Sequence, residues 1–228
     1  MDFLQELNQE QRRAVLTTAG PLLILAGAGS GKTRVIAYRV AYLIGDGHAA
    51  AHEVLAVTFT NKAAQEMRDR VERLLAEDCG GLWISTFHAF CARVLRRDGP
   101  AIGLHRDFVI YDTSDQLAVV RRSLKELDID DKLLPPRQAL SLISQAKNQM
   151  VDPDTLRSES WSAKGELAAN VYRHYQQALA EANALDFDDL LLKTVQLLTD
   201  AESVRHRYGK RFRYVMVDEY QDTNQPQY

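Results

Sequence analysis

Apolar positions in the first hundred residues switch repeatedly between helical and strand-like spacing. Phe3, Leu4, Leu7, Ala14 and Val15 form a loose stripe and predict a short helix within 3–19. Leu22–Leu25 is an unbroken apolar run of the length of a buried strand. Val35, Ile36, Val40 and Leu43 recur at helical spacing, so 33–44 reads as a helix ended by Gly45 and Gly47. Val54–Thr58 reads as a second strand. Asn61 is placed to cap a helix carrying Ala63, Ala64, Met67, Val71, Leu74 and Leu75 on one side. After the Gly80-Gly81 turn, Leu82–Ser85 reads as a third strand and Phe87–Arg97 as a helix closed by Gly99-Pro100. This alternation predicts an α/β fold with a parallel sheet covered by helices.

The rhythm then breaks. From about Thr113 to Ala184 strand signals are scarce and helical periodicity prevails. One helix starts at Asp115–Val120, another opens at Pro135-Pro136, Pro153 punctuates a third region, and Leu167–Ala182 is a long helix. The pattern is that of an all-helical subdomain inserted into a sheet domain. A further helix follows Leu185–Leu190. Tyr214–Val217 then reads as a β-branched strand that ends at Asp218-Glu219. Internal repeats and low-complexity tracts are not evident.

With 228 residues, 46% of them hydrophobic and 26% charged, the chain can bury a sizeable core as one large domain or two small ones. Its apolar runs fall short of the roughly 18–20 residues of a membrane span. Met1-Asp2-Phe3 has no basic leader, so a secretory signal is not expected. Cys79 and Cys91 lack zinc-like spacing and read as reduced thiols, which suits the cytoplasm. The net charge of −3 argues against a bulk electrostatic grip on nucleic acid, so any such binding needs a local groove.

The chemistry concentrates at two places. In Ala26-Gly27-Ala28-Gly29-Ser30-Gly31-Lys32-Thr33 an apolar run feeds a glycine-rich turn, with a helix behind it. That is the strand–loop–helix setting of a phosphate-binding loop. Backbone N–H groups from Gly27 to Thr33 can converge on phosphate oxygens, helped by the positive helix N-terminus. Lys32 reaches the β- and γ-phosphates, and the Thr33 hydroxyl ligates magnesium. Ala26 stands where the strict pattern has glycine, a change of one methyl. The implied ligand is ATP or another nucleoside triphosphate, with Mg2+. The second place is Val215-Met216-Val217-Asp218-Glu219. Acids at the end of a buried strand need a cation. Asp218 would hold magnesium, and Glu219 would orient and deprotonate the attacking water.

Two further segments lie at carboxyl ends of predicted strands, where open parallel sheets bind ligands. They are Val57-Thr58-Phe59-Thr60-Asn61-Lys62 and Ser85-Thr86-Phe87-His88. Rings stack on bases and hydroxyls hold phosphates, with Lys62, Arg68, Arg93, Arg96 and Arg97 adding positive charge nearby. The competing reading makes Phe59 and Phe87 core residues and the basic side chains a solvated face. His48 and His52 read as surface residues. His88 contacts phosphate or caps its helix. Asp186, Asp188 and Asp189 suit the first turn of a helix better than a metal site.

Taken together, the motifs resemble the superfamily 1 DNA helicases of the UvrD, PcrA and Rep type, in family order. Leu7-Asn8-Gln9-Glu10-Gln11 resembles the Q motif, Ala26–Thr33 motif I, Thr58–Ala64 motif Ia and Ser85-Thr86-Phe87-His88 motif Ib. Leu185–Leu190 matches the segment leading back from the helical insert, and Val217–Asn224 resembles motif II. The resemblance implies a RecA-like P-loop NTPase domain over 1–107 and 186–228, with helical subdomain 1B over 108–185. It implies nucleotide binding by Gln11, which would hydrogen-bond the adenine edge, by the loop from Ala26 to Thr33, and by Arg34. Lys32, Glu219 and Gln221 would be catalytic, with Gln221 coupling the γ-phosphate to strand movement. Phe59, Thr60, Asn61, Thr86 and His88 would contact DNA, with Phe59 stacking on a base. The implied activity is ATP-dependent 3′-to-5′ movement on single-stranded DNA and unwinding at duplex junctions. The implied setting is DNA repair or replication restart, with repair or replication proteins as partners and no membrane. The sequence stops at Tyr228, just after motif II, so an N-terminal portion unable to unwind DNA by itself is expected. The alternatives are a helicase–nuclease subunit, a non-catalytic nucleotide- or DNA-binding module, and a P-loop ATPase without a nucleic-acid role.

Overall fold

The structure, a computed structural model, describes residues 2–27, 29–76, 80–160 and 162–228. Ala28 of the phosphate loop and Cys79 lie outside the described residues. Two compact units emerge, Met1–Phe90 with Arg205–Asp222, and Cys91–Val204 with Thr223–Tyr228. The second unit contains the insert drawn at 108–185 together with residues on both sides of it.

The first unit opens with a 3₁₀ turn, Asp2–Glu6, and then α1 (Gln9–Leu16). The apolar stripe read as one helix is broken here because Asn8 caps α1. Its side chain accepts from Gln11 N at 2.8 Å, and Gln11 Oε1 accepts from Asn8 N at 3.2 Å, a reciprocal capping box. In α2 (Lys32–Gly45) two sides are apolar. Ile36, Val40 and Leu43 join the sheet core, while Val35 and Tyr38 pack with Leu7 and Val15. β1 (Val54–Thr58) is buried along its whole length and leads to α3 (Asn61–Leu75). The cap of α3 is Thr60 rather than Asn61. Thr60 holds an extended backbone and its hydroxyl accepts from Ala63 N at 3.1 Å, so Asn61 is already helical. β2 (Trp83–Thr86) follows, and the chain leaves this unit within α4 (Phe87–Asp98).

The second unit is mostly helical: β3 (Val109–Ile110), α5 (Thr113–Glu126), α6 (Pro136–Asn148), α7 (Pro153–Glu159), α8 (Ala163–Glu181), β4 (Ala184–Leu185) and α9 (Phe187–Asp200). The short parallel pair β3–β4 was not expected from the sequence. Val120, Leu124, Ile143, Val171, Tyr175 and Leu179 build its core. Asp186 caps α9, accepting from Asp189 N at 2.7 Å, as the sequence position suggests. Both carboxylates are also buried against Lys147. Its ammonium, 0% exposed, donates to Asp186 Oδ2 at 2.7 Å and Asp189 Oδ1 at 2.8 Å. The Tyr175 hydroxyl donates to Asp186 Oδ2 at 2.9 Å.

The last helix, α10 (Glu202–Arg211), returns the chain to the first unit, where β5 (Tyr214–Val217) completes a three-stranded parallel sheet in the order β2–β1–β5. Leu55 pairs with Trp83 on one side and Val215 on the other. The expected strand at Leu22–Leu25 is not one. Residues 21–27 are irregular, with Leu23 65% and Leu25 85% exposed. A strand exists by virtue of a hydrogen-bonded neighbour, and this run has none among the described residues. No described helix is long and apolar enough to cross a membrane.

Candidate nucleotide and nucleic-acid site

The sheet register aligns the chemistry. Thr58 pairs with Thr86 and Val57 with Val217, and Asp218 N donates to Val57 O at 2.9 Å. Parallel strands therefore release Phe59, Phe87 and Asp218 at the same, carboxyl edge of the sheet. The first turn of α2 reaches that edge: Thr33 Oγ1 donates to Asp218 Oδ2 at 2.8 Å, joining residues 185 apart in sequence. Asp218 is buried and also accepts from Glu219 N at 3.2 Å. It has no ion-pair partner among the described residues.

The phosphate loop is shaped by backbone geometry. Gly29 and Gly31 hold φ of 75° and 86°, a region that favours glycine. Ser30 N and Oγ donate to Gly27 O at 3.3 and 2.6 Å, closing the turn. Gln11 Nε2 donates to Ser30 O at 3.0 Å, tying α1 to the loop. Lys32 Nζ lies back on the loop, donating to Ala26 O at 3.3 Å. The half-buried Arg39 donates Nη1 to Ala14 O at 2.8 Å and to Thr17 O, placing a cation on the carbonyl end of α1 and fixing that helix beside α2. Desolvation lowers the Arg39 pKa, with Tyr214 opposing.

Glu219 follows Asp218 with φ of 50°, left-handed for a side-chain-bearing residue, which costs about 1–3 kcal/mol and clusters at functional sites. Gln221 Nε2 donates to Glu219 Oε2, so these two catalytic candidates are already joined.

The nucleic-acid candidates divide by environment. Phe59 is 37% exposed and meets Phe87 edge-on at 5.6 Å between ring centroids. Thr60 and Asn61 are exposed beside it. Thr86 is buried, and its hydroxyl accepts from Ala89 N at 3.2 Å, serving the start of α4. His88 is half-buried on the first turn of α4. Lys62 stands in solvent 3.9 Å from Glu66, and Arg68 donates to Ile84 O at 3.0 Å. Arg93, Arg96 and Arg97 belong to the second unit, where Arg96 stacks over the Phe108 ring at 5.5 Å. His48 pairs with Asp46 at 3.1 Å at the surface.

The contacts that Arg34 makes with Glu6 and Tyr38, at sequence separations of 28 and 4, escaped sequence reasoning. Only Tyr38, on the same helix face, left a local signal.

The sequence was compared with known proteins. The family model described as UvrD/REP helicase N-terminal domain matches residues 7–228. The ATP-dependent DNA helicase PcrA of Bacillus subtilis is 48% identical over 226 residues, covering 99% of this chain and 31% of that protein. The PcrA helicases of Staphylococcus epidermidis and Staphylococcus aureus are each 46% identical over the same share of both chains. The chain thus spans 31% of the length of these curated relatives.

Proposed function

The chain belongs to the UvrD/REP helicase N-terminal domain family, and on that premise we propose that it is the magnesium–ATP-binding portion of an ATP-driven DNA helicase moving 3′ to 5′ on single-stranded DNA. We place that activity in the cytoplasm, in DNA repair or replication restart.

Magnesium fits the residues present. Thr33 and Asp218 are oxygen donors 2.8 Å apart, and hard cations take oxygen ligands. A buried carboxylate without an ion-pair partner suits a cation. When bound, the ion neutralises charge on the β- and γ-phosphates. The protein's own groups do the rest. Backbone N–H groups of the loop and the α2 N-terminus cradle the phosphates. Lys32 leaves the Ala26 carbonyl to meet the β- and γ-oxygens. Glu219 accepts the proton of the water that attacks the γ-phosphorus, and the bond to the ADP oxygen breaks. Gln221 holds the Glu219 carboxylate and lies where it can register the γ-phosphate. Gln11 and Arg34 serve the base end. The Phe59 ring offers a stacking face to a DNA base, with Thr60, Asn61 and His88 toward the phosphates and Thr86 holding the α4 start behind them.

The observation that carries this reading is the Thr33–Asp218 hydrogen bond, which unites the phosphate loop with the acidic strand end. Binding of a fluorescent ATP analogue with magnesium tests it. Lys32→Ala is expected to weaken affinity at least about tenfold, the scale of a charge-assisted contact. Unchanged affinity contradicts the role of Lys32.

A further inference from the structure

Arg34, one residue past Thr33, has its guanidinium already anchored. Nη2 donates to Glu6 Oε2 at 3.0 Å, to Glu6 O at 3.1 Å and to Tyr38 OH at 3.1 Å. The Tyr38 hydroxyl donates to the same Glu6 oxygen, and the guanidinium carbon lies 4.9 Å from the centroid of the Tyr38 ring. Phe3 meets that ring edge-on at 5.7 Å, so the 3₁₀ turn carrying Glu6 is itself packed down. All these bonds use one nitrogen. Nε and Nη1 have no partner among the described residues. An arginine carries five donors in a rigid planar fork, so holding Nη2 fixes the plane and leaves the other edge to donate.

That edge belongs to the nucleotide site. A Cβ on Gly31 would meet Gln11 Nε2 at 3.2 Å and Arg34 Cβ at 3.7 Å, so Gln11 and Arg34 flank the same loop glycine. The Gln11 amide spends one lone pair on Asn8 N and one N–H on Ser30 O, and keeps one of each. Two pre-oriented groups, one a donor and the other a donor–acceptor, thus stand together at one end of the phosphate loop. Neither Glu6 nor Tyr38 reaches the phosphates. Each acts on Arg34.

We propose that Glu6 and Tyr38 are positioning residues that set nucleobase discrimination, by holding Arg34 so that its free edge and the Gln11 amide together meet an adenine edge. This rests on the nucleotide-binding reading above. A site of fixed donors and acceptors rejects a base that reverses one partner, because a polar group is then left unpaired. Hypoxanthine makes that change, carrying a carbonyl where adenine carries an amine.

Calorimetric titration of the 228-residue chain with magnesium–ATP, magnesium–ITP and magnesium tripolyphosphate tests the proposal. Glu6→Gln and Tyr38→Phe are each expected to weaken ATP binding by about two- to fivefold, the size of a partly exposed ion-pair contact. Tripolyphosphate affinity is expected to hold, and the preference for ATP over ITP to shrink. Arg34→Ala lowers the ATP-to-tripolyphosphate ratio further, and adding Glu6→Gln to it changes nothing more, as one shared interaction requires. An unchanged ratio in Glu6→Gln beside a lowered one in Arg34→Ala overturns the positioning role and leaves the nucleotide reading standing. A ratio that Arg34→Ala does not move overturns the base contact and the proposal with it. A chain that binds neither ligand overturns the nucleotide reading itself.

Discussion

Lys147→Met removes the one cation buried between two buried carboxylates. Its ammonium has no solvent access and sits 2.7 and 2.8 Å from Asp186 and Asp189. Methionine keeps most of the stem, so the loss is electrostatic rather than a cavity. Removing one partner of a buried pair costs about 3–5 kcal/mol, since the remaining charge is left uncompensated. For a protein of this size each kcal/mol moves the melting temperature by about 2–4 °C, so a drop of about 10 °C is expected. The penalty should depend on pH. Burial already raises the Asp189 carboxyl above its ordinary range, with Lys147 opposing and Asp186 adding to the rise. Burial also raises Asp188, and the Tyr172 and Tyr175 hydroxyls, which face the same cluster, are raised by burial and the neighbouring carboxylates. Without the ammonium, Asp189 rises further. A carboxyl raised in the folded state lends stability that is full below its unfolded pKa and is lost as pH rises through its folded one. The deficit of Lys147→Met is therefore largest near about pH 8 and shrinks toward about pH 5. Urea unfolding at both pH values, read by far-ultraviolet circular dichroism with the slope checked for constancy, measures it. Adding Asp189→Asn should recover part of the loss. A Lys147→Met chain within about 1 kcal/mol of the parent near pH 8 would refute the reasoning.

Two other outcomes follow from the geometry. Phe59→Ala should weaken binding of an oligo-dT single strand by about 1–3 kcal/mol in fluorescence anisotropy, the worth of one stacked base; an unchanged affinity returns the ring to a purely structural role. Burial pushes the Cys91 thiol up to about 11, against a lowering hydrogen bond with Thr194. In a Cys79→Ser chain, Cys91 should resist a disulfide reagent near about pH 8 until denaturant is added, and rapid labelling of the native chain contradicts its burial.

What could be read in advance was local. The glycine turn at Gly27–Thr33 and the acids after Val217 carry their chemistry in consecutive residues, and the structure joins them through Thr33 and Asp218. The helical periodicities of α2, α3 and α8 likewise needed only their own spacing. Features that depend on a partner were not legible. Leu22–Leu25 has the composition of a strand, yet pairing is a property of two segments. Thr60 and Asn61 are both good caps, and backbone angles chose the former. Lys147 finds Asp186 and Asp189 across 39 and 42 residues, and Arg34 finds Glu6 across 28, so tertiary packing alone unites them.

The meeting of Thr33 and Asp218 at a single metal is tested most directly by the magnesium dependence of ATP affinity. The measurement covers the parent chain, Thr33→Val, Asp218→Asn and the double variant. Each single substitution should abolish most of the gain in affinity that magnesium confers, and the double variant should lose little beyond either, as two ligands of one ion require. A full magnesium response in either single variant, or losses that simply add, would contradict the shared site.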